Sequence, residues 1–81
     1  MINFTVHTQW EDGSAATGRK VFLDIHSWPS STWLEDYTDD AGDVDFEIDS
    51  SGSIEISFIV DGTTYQTESV ENGDCIFITI D

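Results

Sequence analysis

The feature that most constrains this chain is an alternation of apolar and polar residues that restarts after every turn-forming stretch. A period of two sends successive side chains to opposite faces of an extended backbone. It is purest from Asp43 to Asp49, where Val44, Phe46 and Ile48 alternate with Asp43, Asp45, Glu47 and Asp49. The first segment, Ile2 to Trp10, sets Ile2, Phe4, Val6 and Trp10 against Asn3, Thr5, His7 and Gln9. The second, Arg19 to Ser27, turns Val21, Leu23 and Ile25 inward and Phe22, Asp24 and His26 outward. Trp28-Pro29-Ser30-Ser31 reads as a loop, because proline cannot donate to a central ladder. A third strand is expected over Thr32 to Thr38, with Trp33 and Tyr37 inward in preference to Leu34 and Thr38.

The later turns carry glycine where a positive φ is wanted. Asp39-Asp40-Ala41-Gly42 predicts a hairpin into the acidic strand, and Ser50-Ser51-Gly52-Ser53 ends that strand. Asp61-Gly62 predicts a tight hairpin between Ile54–Val60 and Thr63–Val70. Glu71-Asn72-Gly73 turns the chain into a last strand, Asp74 to Ile80, with Ile76, Ile78 and Ile80 on one face and Cys75, Phe77 and Thr79 on the other. About seven strands at this spacing predict an all-β fold, an antiparallel two-sheet sandwich. Helices are disfavoured, since leucine occurs only at Leu23 and Leu34 while Ile, Val and aromatics dominate. Residues 1–81 make one domain, near the lower size limit for a self-sufficient core.

Charge then narrows the partners. Seventeen Asp and Glu face only Arg19 and Lys20, for a formal charge of −15. Nucleic acid and anionic bilayers would both repel such a chain, so neither is expected as a direct partner. A basic protein surface is the natural complement. The single cysteine, Cys75, cannot form an internal disulfide, which argues against the disulfide-stapled secreted class. Met1 runs straight into strand residues without a basic, then apolar, leader. The expected setting is therefore intracellular and soluble. A domain taken from a longer secreted chain would look the same, so a secreted setting stays open.

Several of these segments, in order, resemble the carboxypeptidase regulatory-like, or transthyretin-like, β-sandwich. Asp12-Gly13-Ser14-Ala15-Ala16-Thr17-Gly18 followed by Arg19-Lys20-Val21-Phe22-Leu23 is similar to that family's opening. Thr38-Asp39-Asp40-Ala41-Gly42-Asp43-Val44-Asp45-Phe46 is similar to its Thr-Asp-x-x-Gly hairpin, and Gly52 through Tyr65 to the hairpin that follows. The resemblance spans nearly the whole chain and implies an Ig-like sandwich serving as an accessory or adhesive module without chemistry of its own. This chain departs from the family in its acidity, and it is expected to stand alone without a secretory leader.

The candidate site is the acidic strand. Asp43, Asp45, Glu47 and Asp49 share one face at about 6.5–7 Å spacing, close to the separation of phosphates along an extended nucleic-acid strand. Asp39 and Asp40 at the adjoining turn would lengthen the row. The bland alternative is a solvated strand face whose carboxylates only oppose aggregation. Calcium is a weaker reading of Asp39, Asp40, Asp43 and Asp45, because their spacing around Gly42 is not the EF-hand pattern. His7 and His26 are expected as ordinary surface residues, with no zinc-type spacing between them. No serine sits in a GxSxG elbow, and Cys75 begins a strand among carboxylates, surroundings that do not activate a thiol nucleophile. Trp28, Trp33 and Tyr37 could form a platform for a sugar or a partner protein. Trp33 and Tyr37 are expected in the core, which leaves Trp28 as the exposed anchor.

These readings combine into a function. The chain is expected to be a non-enzymatic binding protein, without cofactor or metal, that docks on a basic protein surface, such as that of a nucleic-acid-binding protein. A phage-type antagonist that imitates nucleic acid, of the anti-CRISPR or anti-restriction kind, has this character. The alternative is a structural or adhesive accessory module, secreted or halophilic, whose acidity is only an adaptation to solvent. Oligomeric state is not readable from the sequence.

Overall fold

The computed structural model describes residues 1–26, 32–50 and 52–81. The expected strands form: β1 (Ile2–Trp10), β2 (Lys20–His26), β3 (Thr32–Tyr37), β4 (Asp43–Ile48), β5 (Ile54–Val60), β6 (Thr63–Val70) and β7 (Cys75–Ile80). They make two sheets, one of three strands in the order β4-β1-β7 and one of four in the order β3-β2-β5-β6. No helix occurs among the described residues. The molecule is a small β-sandwich.

Alternation decides what lies between the sheets. Ile2, Phe4 and Val6 of β1, Val44 and Phe46 of β4, and Ile76, Ile78 and Ile80 of β7 are buried from one side. Val21, Leu23 and Ile25 of β2, Ile56, Phe58 and Val60 of β5, and Val70 of β6 are buried from the other. Phe4 links the layers: its ring stacks on Phe46 at 5.7 Å between centroids and meets Phe58 edge-on at 6.5 Å.

Three features depart from the sequence expectation. The first is in β3, where Trp33 and Tyr37 are 58 % and 62 % exposed. The inward set is instead Leu34, packed against the core, and Thr38, which is 5 % exposed. The aromatic weight of Trp33 suggested burial, but Phe22 on the outer face of β2 offers it a ring to stack on, at 5.5 Å and 15°. Thr38 is drawn inward by its hydroxyl, which accepts the Arg19 amide at 2.9 Å and donates to the Ala16 carbonyl at 2.8 Å.

The second is that β1 and β7 pair in parallel, Thr5 beside Cys75 through Trp10 beside Ile80, while the other ladders are antiparallel. A local pattern of turns predicts hairpins and cannot report a pairing between the two ends of a chain. The third is a bulge in β6. The register slips between Phe58 and Ile59, and the extra residue, Tyr65, packs against the core.

The acidic strand is held in place by a close backbone approach. The Thr8 amide donates to the Gly42 carbonyl at 2.8 Å, and a Cβ on Gly42 would lie 2.5 Å from the Thr8 carbonyl oxygen. Gly42 also has φ near +79°, so glycine is required there on both counts. The β5–β6 turn is formed by Asp61 and Gly62 at φ of 50° and 87°, the type I′ geometry that Asp-Gly favours.

Candidate functional site

The outer face of the three-stranded sheet carries the carboxylate row. Asp43, Asp45 and Glu47 lie on β4, opposite His7, Thr5 and Asn3 of β1. Because β4 is a free edge, one side of the row is open among the described residues. Asp45 and Glu47 are exposed and Asp43 half-buried.

Two of the three carboxylates are held by neighbours. The His7 Nδ1 lies 2.6 Å from the Asp43 Oδ1, and the His7 ring meets Phe77 of β7 edge-on at 5.5 Å. His7 lies on the outer face, as expected, and the β1–β4 register sets it directly across from Asp43. His26, on the other sheet, lies 2.8 Å from the Ser57 hydroxyl. The Thr5 hydroxyl donates to the Asp45 Oδ1 at 2.6 Å. Each contact engages one carboxylate oxygen and restrains the side chain, which lowers the entropic cost of engaging a partner cation.

The remaining acidic candidates divide. Asp49 is exposed just past the end of β4 and continues the outward side of the strand. Asp40 is exposed at the turn. Asp39 is turned inward on its own loop, where its Oδ1 accepts the Ala41 amide at 2.9 Å and the Asp43 amide at 3.0 Å. These donors hold its carboxyl below the usual aspartate range. Asp39 therefore builds the turn while staying exposed beside the row. Trp28 lies outside the described residues, as do the Pro29 loop around it and Ser51.

One acidic residue escaped the sequence reading. A groove of about 360 Å³ opens on the outer face, and Asp74 joins Asp45, Glu47, Asn3 and Thr5 in lining it. The Asp74 carbonyl accepts the Thr5 amide at 3.0 Å, which fixes the start of β7 beside β1. Only the parallel β1–β7 pairing brings Asp74 here, so no local signal announced it.

Compensating cations are scarce. The Lys20 Nζ lies 3.0 Å from Glu35, and Arg19 lies 3.3 Å from Asp61 while capping the Trp10 ring at 5.1 Å. Neither pairs with a carboxylate of β4. Among the described residues no three His, Cys, Asp or Glu side chains converge as metal ligands would.

The four-stranded sheet presents a different surface. Trp33 and Tyr37 project from β3 on either side of Glu35, with Phe22 stacked on Trp33. Trp33 and Tyr37, which the sequence pattern assigns to the core, are thus exposed aromatics of this face, and Trp28 lies outside the described residues. No protein-family model matches the chain, and no curated protein matches it significantly.

Proposed function

We propose that this protein is a non-enzymatic binding protein whose acidic sheet face docks on a basic protein surface, in the manner of a nucleic-acid mimic that blocks a nucleic-acid-binding protein. The observation that carries the reading is the row itself. Asp43, Asp45 and Glu47 stand on one face of an edge strand, with Asp43 and Asp45 held at 2.6 Å by His7 and Thr5 and with Asp74 beside them in the groove. Carboxylates on a rigid strand reproduce the regular anionic spacing a nucleic-acid groove is built to receive. The wider field of the −15 chain speeds the encounter and rejects acidic partners.

A second reading rests on the other sheet. Exposed Trp33 and Tyr37 with the stacked Phe22 make an anchor-like aromatic surface. That surface suits the accessory or adhesive role of a transthyretin-like module, for which the acidity is solvent adaptation.

The test is capture from native host lysate at low salt, followed by elution with double-stranded DNA. The natural chain is compared with a variant carrying Asp43→Asn, Asp45→Asn and Glu47→Gln, and with a Trp33→Ala variant. The first reading expects an identified nucleic-acid-binding protein that DNA releases, captured by the natural chain and the Trp33 variant but not by the row variant. Capture lost only in the Trp33 variant favours the accessory module, and equal capture by all three removes both surfaces.

A further inference from the structure

A sandwich of two open sheets has four free edges, and here they are not alike. On β3, Asp36 occupies the inward-facing position opposite buried Val21. On β6, Glu68 occupies the inward-facing position opposite buried Ile56. Both carboxylates are exposed, turned out of a position that alternation assigns to the core. A charge at an inward position of an edge strand obstructs another strand from pairing there, because pairing would enclose it. On β4, Asp43, Asp45 and Glu47 load the edge with like charge.

The fourth edge has no such guard. Strand β7 reads Cys-Ile-Phe-Ile-Thr-Ile: uncharged, free of Pro and Gly, and rich in β-branched residues. It is the last strand of its sheet, with nothing paired to its outer side among the described residues. Its outward side chains include Phe77, which is 63 % exposed. An edge of this composition is a template for strand addition.

The ends of β7 say which strand it takes. Glu71 and Asp74 stand at its start, where the Glu71 amide donates to the Asp74 carboxylate at 2.8 Å. At its finish the pairing of Trp10 with Ile80 brings Glu11 and Asp81 together. The edge is thus an uncharged strand bracketed by carboxylates. Two β7 strands laid antiparallel with their inner faces together would bring the acidic start of one beside the acidic end of the other. A second copy is therefore opposed, and a strand with basic ends is favoured.

We propose that β7 is a strand-addition site for an extended, uncharged segment of a partner protein flanked by Lys or Arg at both ends. This rests on the reading that the partner is basic. It does not require the β4 row, which lies on the opposite edge of the same sheet with β1 between.

The probe is a synthetic peptide of alternating Thr and Val, the length of β7, with Lys at each end. It is titrated into the intact protein and followed by NMR with amide exchange. Expected are saturable binding, exchange protection confined to β7 amides, and loss of binding when alternate peptide nitrogens are methylated. The same peptide ending in Glu should bind about tenfold more weakly at low salt. A Glu11→Gln, Asp81→Asn variant, altered only at exposed side chains, should weaken the Lys-ended peptide about two- to threefold.

Retained binding by the methylated peptide would show mere charge attraction and overturn the proposal. So would an absence of binding, equal binding of the Glu-ended peptide, or a low-salt dimer by sedimentation whose protected amides lie on β7. The Asn, Asn, Gln variant of the β4 row should keep exchange protection confined to β7, with affinity for the Lys-ended peptide within about twofold of the natural chain. Loss of lysate capture without loss of peptide binding thus tests the two surfaces apart.

Discussion

The Ala16 carbonyl accepts two hydroxyl donors, from Thr8 at 2.9 Å and from Thr38 at 2.8 Å. Both threonines are buried, and through them the β1, β2 and β3 ends are tied to one backbone atom. Replacing Thr38 by Val keeps the shape but leaves the Arg19 amide without its 2.9 Å acceptor. An unsatisfied, partly buried donor costs about 1 kcal/mol, so Thr38→Val should lower the unfolding free energy by that amount, read as a lower urea midpoint at unchanged slope. An unchanged midpoint would show that this knot contributes nothing. Asp39 gives a pH-dependent counterpart. Its two backbone donors depress its carboxyl below the ordinary 3.8. As pH falls, the unfolded chain takes up that proton before the folded one does, so the stabilisation is complete above pH 3.8 and disappears as pH drops through the depressed value. The stability gap between the natural chain and Asp39→Ala should therefore be widest near neutrality and narrow in strong acid. A gap independent of pH would assign the loss to the turn backbone alone.

At the level of strands, what the sequence made legible and what it hid follow from the range of each interaction. Alternation acts within one strand, so the inward sets of β2, β4 and β7 could be read directly from Val21, Leu23 and Ile25, from Val44, Phe46 and Ile48, and from Ile76, Ile78 and Ile80. The Asp61-Gly62 turn is likewise local. In β3 the parity of Trp33 and Tyr37 is the more apolar, yet the choice fell to partners elsewhere: Phe22 for Trp33, and Arg19 and Ala16 for Thr38. The carboxylates of the β4 row were visible, but the His7 and Thr5 contacts that orient them depend on the β1–β4 register. Asp74 depends on the pairing of distant ends. The edge carboxylates had the same ambiguity, since Asp36 and Glu68 look like ordinary polar positions until the register is known. Their role is testable. Asp36→Val with Glu68→Val should leave the fold intact or slightly stabilised and make the chain aggregate at concentrations where the natural chain stays monomeric. Sedimentation of the two at matched concentration decides it, and a monomeric double variant would remove the guarding role.

For the molecule as a whole, −15 on 81 residues opposes the compact state, and no rearrangement of Arg19 and Lys20 can offset it. Mobile ions can. The Debye length falls from about 10 Å at 0.1 M to about 3 Å at 1 M salt, shorter than the spacing along the β4 row. The thermal midpoint in NaCl should therefore rise steadily up to about 1 M, where the repulsion is screened. Binding to a basic partner through the same carboxylates should move the opposite way and weaken over the same range. The two trends have a common origin but separate when charge is removed locally. The Asn, Asn, Gln variant of Asp43, Asp45 and Glu47 carries three of the seventeen carboxylates away, so most of the salt-dependent stabilisation should survive in it while partner binding should not. A midpoint that ignores salt in the natural chain would mean the carboxylates are too far apart, or too well hydrated, for their repulsion to matter to the fold. A variant that keeps its partner would mean the field of the whole molecule, not the row on β4, is what the partner reads.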